Sequence, residues 1–147
     1  MSRQLQRLGK KIVFTNGTFD ILHLGHVQYL QKARSFGDVL FVGVNTDRSV
    51  KSYKSPDRPV NREKDRALVL CALACVDYAV LFDDPTPLAL ILRMKPNILV
   101  KGADWKKTQI AGAKEVESWG GKVRLVRLTK GHSTTGVIEK ILNLKTS

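Results

Sequence analysis

Twelve consecutive residues hold most of the chemistry-bearing pattern of this chain: Thr15-Asn16-Gly17-Thr18-Phe19-Asp20-Ile21-Leu22-His23-Leu24-Gly25-His26. His23 and His26 stand three apart, so at the start of a helix both imidazoles project toward one side. Gly25 between them carries no side chain to block a close approach. Two imidazole donors at a helix N-terminus, where backbone N–H groups are unpaired and the dipole is positive, are equipment for holding a phosphate. A histidine pair at this spacing also suits a metal, but no third ligand of matching type stands at a recognisable distance along the chain. A lone histidine at a helix start is commonly a cap or a surface residue. Its combination here with Asn-Gly, Phe-Asp and a central glycine favours the phosphate site.

The elements that must position these residues follow from periodicity. Residues 11–15 are a short β-branched and aromatic run ending in turn formers, and a helix begins near Leu24 or Gly25 and continues to about Phe36. The histidine turn therefore lies at the carboxyl end of a strand, the edge where open parallel sheets bind ligands. Residues 38–45 read as a second, fully covered strand. Residues 46–61, with Lys51, Lys54 and Arg58, form a basic loop of uncommon length, the kind that usually has a function. Helices are expected over 62–74, from Pro87 to before Pro96, over 111–119, and at the end through Val137, Ile138, Ile141 and Leu142. Strands are expected over 77–82, 98–101 and 123–128. Strands alternating with helices predict a Rossmann-like, doubly wound, five-stranded parallel sheet in a single α/β domain with its core at about 11–142.

Composition narrows the class. At 147 residues and 43% hydrophobic content, the chain is expected to fold as one globular unit. No run approaches roughly 18 apolar residues and the N-terminus lacks a signal-like stretch, so a cytoplasmic location without membrane association is expected. The net charge of +12 suits either a nucleic-acid binder or an enzyme of phosphorylated substrates. Its lysines and arginines are scattered, with no dense basic arm, so no nucleic-acid partner is expected. Cys71 and Cys75 lie four apart within an apolar helical pattern and are expected in the core, and Trp105 and Trp119 are expected to pack. There is no glycine-rich P-loop, no dinucleotide fingerprint and no nucleophile elbow.

The order Asn16-Gly17-Thr18-Phe19-Asp20, His23-Leu24-Gly25-His26 and Ser133-Thr134-Thr135 resembles the two signatures of the nucleotidyltransferase superfamily that includes the cytidylyltransferases. Arg58-Pro59-Val60-Asn61, Leu73-Ala74-Cys75-Val76-Asp77, Asp84-x-Thr86-Pro87 and Val100-Lys101-Gly102-Ala103-Asp104 extend the likeness, which is to the heptose 1-phosphate adenylyltransferases and covers nearly the whole chain. The resemblance implies AMP transfer from ATP to D-glycero-β-D-manno-heptose 1-phosphate, giving ADP-heptose and pyrophosphate for lipopolysaccharide or related glycan synthesis. It implies Mg²⁺ carried mainly by the ATP phosphates with no protein metal site, a separate heptose kinase as functional partner, and a homodimer. Cytidylyltransferases typically carry Arg-Thr-x-Gly-Ile before Ser-Thr-Thr. Here the segment is Leu128-Thr129-Lys130-Gly131-His132, which argues against CTP.

On this resemblance His23, His26 and Lys54 act on the reacting phosphates. The amides of Thr15, Asn16, Gly17 and Phe19, together with Arg66, hold the nucleotide's phosphate charge. Lys101, Gly102, Asp104, Ser133, Thr134 and Thr135 bind ribose, base and the outer phosphates. Asp20 and His132 face the sugar, or in the case of Asp20 a metal. Two other readings stay open: a cytidylyltransferase acting on glycerol phosphate or another polyol phosphate, and a nucleotide- or RNA-binding module that kept the fold without the chemistry.

Overall fold

The computed structural model describes residues 1–144. Its strands are Ile12–Gly17 (β1), Val39–Asn45 (β2), Tyr78–Phe82 (β3), Ile98–Gly102 (β4) and Lys122–Val126 (β5), and its α-helices are Ser2–Arg7 (α1), Leu24–Arg34 (α2), Asp47–Tyr53 (α3), Glu63–Cys71 (α4), Leu88–Met94 (α5), Ala113–Ser118 (α6) and Thr134–Leu144 (α7). All strand pairs are parallel, in the order β3-β2-β1-β4-β5.

The pleat of β1 explains the layers. Val13 faces one side, where it packs with Leu40 and Val42 of β2, Tyr29, Leu30 and Ala33 of α2, and Leu70 of α4. Ile12 and Phe14 face the other, against Phe41, Leu99, Ile91 and Met94 of α5, and Val116 of α6. With helices on both faces, residues 12–14 of β1 and 39–44 of β2 have no solvent side, which is why they carry no polar side chain. Each such fully buried side chain contributes roughly 1.5–3 kcal/mol over exposure. The outer strand β5 instead exposes Lys122 and Arg124, charges that discourage edge-to-edge pairing.

The chain steps outward from β1 through β2 to β3 and returns on the other flank with β4. The connections after β1 and β4 therefore diverge, opening a crevice at their carboxyl ends, the usual ligand site of such sheets.

Three expectations need correction. The basic segment is not all loop: Thr46 caps α3 by accepting from the Ser49 amide at 3.2 Å, and Val50 is fully buried beneath it. Cys71 is exposed and Cys75 half-buried, because α4 turns Arg66 and Leu70 inward and Cys71, one residue past Leu70, faces away. The helix α1 lay outside the periodic pattern, and its Leu5 packs on the Ile12 face.

Candidate active site

At the β1/β4 switch lies a cleft of about 380 Å³. Its walls are residues 16–19 after β1, His23, Gly25, His26 and Tyr29 from the start of α2, Lys54 and Arg58 after α3, Lys101, Gly102, Asp104 and Trp105 beyond β4, and Leu128, Thr129 and residues 132–135 leading into α7. A second cleft of about 420 Å³ adjoins it across a shared wall of Asn16, Gly17, Thr18, Lys101 and Trp105. Its far side is Asn45, Tyr53, residues 85–87, Gln109 and Ala111. Two contiguous compartments with a common wall suit two substrates that must meet.

The histidine pair sits where the first cleft meets the N-terminus of α2. His23 is the N-cap of α2, and its ring stacks on that of His26 with centroids 3.8 Å apart and planes 24° apart. The His23 backbone N–H donates to His26 Nδ1 at 3.4 Å, so a neutral His26 carries its proton on Nε2. Burial, then the neighbouring His23 and Lys54, push the His26 pKa down to about 4, while burial and His132 lower that of His23. Both rings are therefore neutral hydrogen-bond donors near pH 7 rather than cations. A Cβ built on Gly25 would stand 2.9 Å from His23 Cε1 and 3.2 Å from His132 Cβ, so only glycine lets the two rings flank the helix start. The His132 ring lies 6.3 Å from that of His23. Phe19 holds a left-handed φ of 49° with its buried ring 5.4 Å from His26, a strained conformation of the kind that clusters at functional sites.

Most of the residues expected at the site converge here. Asn16, Gly17, Phe19, His23, His26, Lys54, Lys101, Gly102, Asp104, His132, Ser133, Thr134 and Thr135 all line the first cleft. Ser133 accepts from the Gly136 amide at 2.9 Å, capping α7, and Thr134 Oγ1 donates to the Ile21 carbonyl at 3.3 Å, tying that helix to the histidine turn.

Three do not face the cleft. Thr15 lies fully buried under its floor, with Oγ1 bonded to Tyr29 Oη at 2.8 Å and to the Val100 carbonyl at 3.0 Å, a knot joining β1, α2 and β4. Asp20 accepts from Arg58 Nε at 3.0 Å and from the amides of Val60 and Asn61 at 2.8 Å each, so its carboxylate is engaged by the basic segment. Arg66 is buried, and it donates to the carbonyls of Asn61, Thr18 and Asn45 and to Asp47 Oδ1. Arg66 lines neither cleft, and its one guanidinium holds together the segments after β1 and β2 and the start of α4.

Arg58, legible in the sequence only as part of the basic segment and of the Arg58-Pro59-Val60-Asn61 motif, joins the cleft wall with Tyr29 and with Trp105, which was expected only to pack. Tyr29 stands three residues after His26, on the same helix face, which was a usable signal. Burial raises its pKa to about 12, so it remains a hydroxyl. Trp105 lines both clefts and lies under the Lys101 ammonium, 5.1 Å from the ring centroid. Trp119 packs as expected, its Nε1–H donating to the Pro96 carbonyl.

Burial lowers the Lys101 pKa to about 8 against the opposing pull of Asp104. A depressed ammonium is charged below that pH and lost above it. The affinity for inorganic pyrophosphate is therefore expected to fall by up to about tenfold between pH 7 and 9, and Lys101→Arg, which keeps its charge, to flatten that fall. Identical pH curves for the two proteins would remove Lys101 from anion binding.

Among the described residues, the buried side-chain atoms without a hydrogen-bond partner are Asn16 Oδ1, His23 Nδ1 and Arg58 Nη2. All three residues line the first cleft. Buried polar groups are nearly always paired in a folded protein, so their concentration at one place marks a site completed by a ligand.

Known proteins share this architecture. The bifunctional protein HldE of Geobacter metallireducens is 56% identical over 134 residues, 91% of this chain and 27% of its own length. That of Syntrophotalea carbinolica is 53% identical over 138 residues, 94% of this chain and 28% of its own. The chain thus spans just over a quarter of these relatives. The crystal structure of the lipopolysaccharide core biosynthesis protein from Thermoplasma volcanium superposes with a TM-score of 0.67 at 30% identity, covering 84% of this chain and all of that one. A cytidylyltransferase-like family model matches residues 14–140, a span that begins in β1 and ends in α7 and so takes in every wall of the first cleft. With a family model matched over most of its length, the chain belongs to the cytidylyltransferase-like family.

Proposed function

We propose that this chain transfers the AMP moiety of ATP to D-glycero-β-D-manno-heptose 1-phosphate, forming ADP-heptose and releasing pyrophosphate. The observation that carries the reading is the set of three unpaired buried polar atoms around two stacked, neutral imidazoles at a helix N-terminus, beside a second cleft. The close identity to proteins named HldE supports the heptose acceptor. Where cytidylyltransferases carry an arginine, this chain brings Leu128 and Thr129 to the cleft, which supports ATP over CTP.

In this reading ATP occupies the first cleft with its α-phosphate at the histidines, and the sugar phosphate enters from the second. A phosphate oxygen of the acceptor attacks the α-phosphorus in line, and the bond from that phosphorus to the bridging oxygen breaks, its electron pair leaving with pyrophosphate. The acceptor oxygen is already ionised, so no general base is needed. The chain's work is positioning and stabilising charge. His26 Nε2–H donates to the α-phosphoryl oxygens as they gain charge. Lys54, whose pKa is lowered by burial and by Arg58, and Lys101 counter the repulsion between two anionic substrates. Ser133, Thr134 and Thr135 present the start of α7 to the nucleotide.

Among the described residues no group of three or more histidine, cysteine or acidic side chains gathers as a metal cage. Asp104 is the acidic side chain that lines the first cleft, so Mg²⁺ would arrive with the triphosphate, its ligands being mainly phosphate oxygens that it neutralises.

Pyrophosphate release measured for ATP and CTP against heptose 1-phosphate and glycerol phosphate tests the assignment. Turnover is expected with ATP and the heptose. Turnover restricted to CTP and a polyol phosphate would make the chain a cytidylyltransferase by activity, and RNA binding with a steep salt dependence and no turnover would make it a binding module.

A further inference from the structure

We propose that Arg58 grips the β- and γ-phosphates of the bound triphosphate, and that buried Asp20 is the positioning residue that delivers it. The proposal rests on the nucleotidyl-transfer reading of the first cleft and adds to it a residue for the leaving group.

Three observations converge on Arg58. Its side chain is 13% exposed and lines the first cleft, yet Nη2 is buried without a partner. Its Nε is committed to Asp20 Oδ2 at 3.0 Å, and the same carboxylate takes the amides of Val60 and Asn61 while the Asp20 carbonyl accepts from Asn61 Nδ2 at 2.7 Å. Four hydrogen bonds thus clamp residues 58–61 onto the histidine turn, and the guanidinium is held in one orientation before any ligand arrives. A pre-oriented guanidinium with an unspent N–H is suited to a phosphate oxyanion.

Position decides which phosphate. Arg58 lines the cleft that contains the histidines and takes no part in the second cleft, whereas Lys101 lines both. The acceptor's phosphate, entering from the second cleft, meets Lys101. Arg58 stands on the nucleotide's side with Lys54, whose ammonium it disfavours by like-charge repulsion. Two cations that repel each other in an empty cleft are relieved by a polyanion between them. Breaking the bond at the α-phosphorus leaves the electron pair on pyrophosphate, and there the Arg58 charge is needed.

The test uses the intact chain and isothermal titration with ATP, inorganic pyrophosphate and AMP, together with the KM for the acceptor. Arg58→Gln is expected to weaken ATP and pyrophosphate by about ten- to hundredfold and to leave AMP and the acceptor KM within about twofold, with Arg58→Lys intermediate. Asp20→Asn, which keeps the shape and loosens the arginine, is expected to give the same ligand pattern at smaller amplitude. A raised acceptor KM with pyrophosphate affinity intact would move Arg58 to the acceptor and overturn the proposal. Equal losses for AMP and pyrophosphate with a lowered melting temperature would make Arg58 a structural tie, and unchanged affinities would leave it no role. Should the unaltered protein bind neither ATP nor pyrophosphate, the nucleotidyl-transfer reading itself fails, a result distinct from any obtained with the variants.

Discussion

Replacing His26 by alanine is expected to lower kcat by about two to three orders of magnitude, the usual consequence of removing one preorganised donor from a developing oxyanion, and to change the KM for ATP little. The asymmetry follows from what the imidazole does. His26 is neutral, with a pKa near 4, so it offers the ground-state triphosphate no net charge, and its Nε2–H gains strength only as charge accumulates on the phosphoryl oxygens. Being neutral, it also has no ionisation near pH 7 to produce a limb in the rate profile. His26→Gln, with an amide N–H of similar reach, is expected to recover part of the rate. The fold survives both changes, because the ring stacks on His23 at the cleft wall and not within either apolar cluster. Initial rates of pyrophosphate release at saturating ATP, with a thermal melt as control, decide the matter. A folded alanine variant with near-normal turnover would take the imidazole out of the reaction.

The largest expected loss of stability comes from Arg66→Met. The arginine side chain is fully buried, and its removal leaves the buried Asn45 carbonyl without its donor and takes the same guanidinium from the carbonyls of Thr18 and Asn61 and from the partly exposed carboxylate of Asp47. Breaking a buried charged network from one side costs about 3–5 kcal/mol, which in a chain of this size lowers the melting temperature by roughly 10 °C. Lysine rescues little, since one ammonium cannot span four acceptors arrayed for a planar fork. A melt without nucleotide separates this role from a phosphate contact. Unchanged melting with weakened ATP binding would return Arg66 to the nucleotide.

These two residues show how far the chain could be read without coordinates. His23, Gly25 and His26 lie within four positions of one another, so helix geometry alone brings them to one surface, and local spacing announces a phosphate site. The parallel sheet was equally legible, because the central strands are mostly apolar where both faces are covered and they alternate with helical segments bounded by caps, prolines and glycines. Arg66 and Asp20, both expected at the ligand, have partners within the chain for one shared reason. A charged side chain near a predicted phosphate site invites pairing with the phosphate, whereas here the partners are carbonyls and amides up to 48 positions away along the chain. Nothing in the sequence counts such partners in advance.

Sequence by itself determined the alternation of strands and helices, the edge at which functional loops gather, and the imidazole pair, since each depends on periodicity or on contacts within a few residues. Tertiary structure alone decided which charges are free for a ligand. It tied Asp20 to Arg58 across 38 positions and consumed Arg66 on backbone carbonyls. It left Arg58 Nη2, His23 Nδ1 and Asn16 Oδ1 unpaired around one cleft. The physical reason is that a donor's availability is a balance over all its neighbours in space, and those neighbours are assigned only when the connections after β1 and β4 diverge and the later segments close over the crevice.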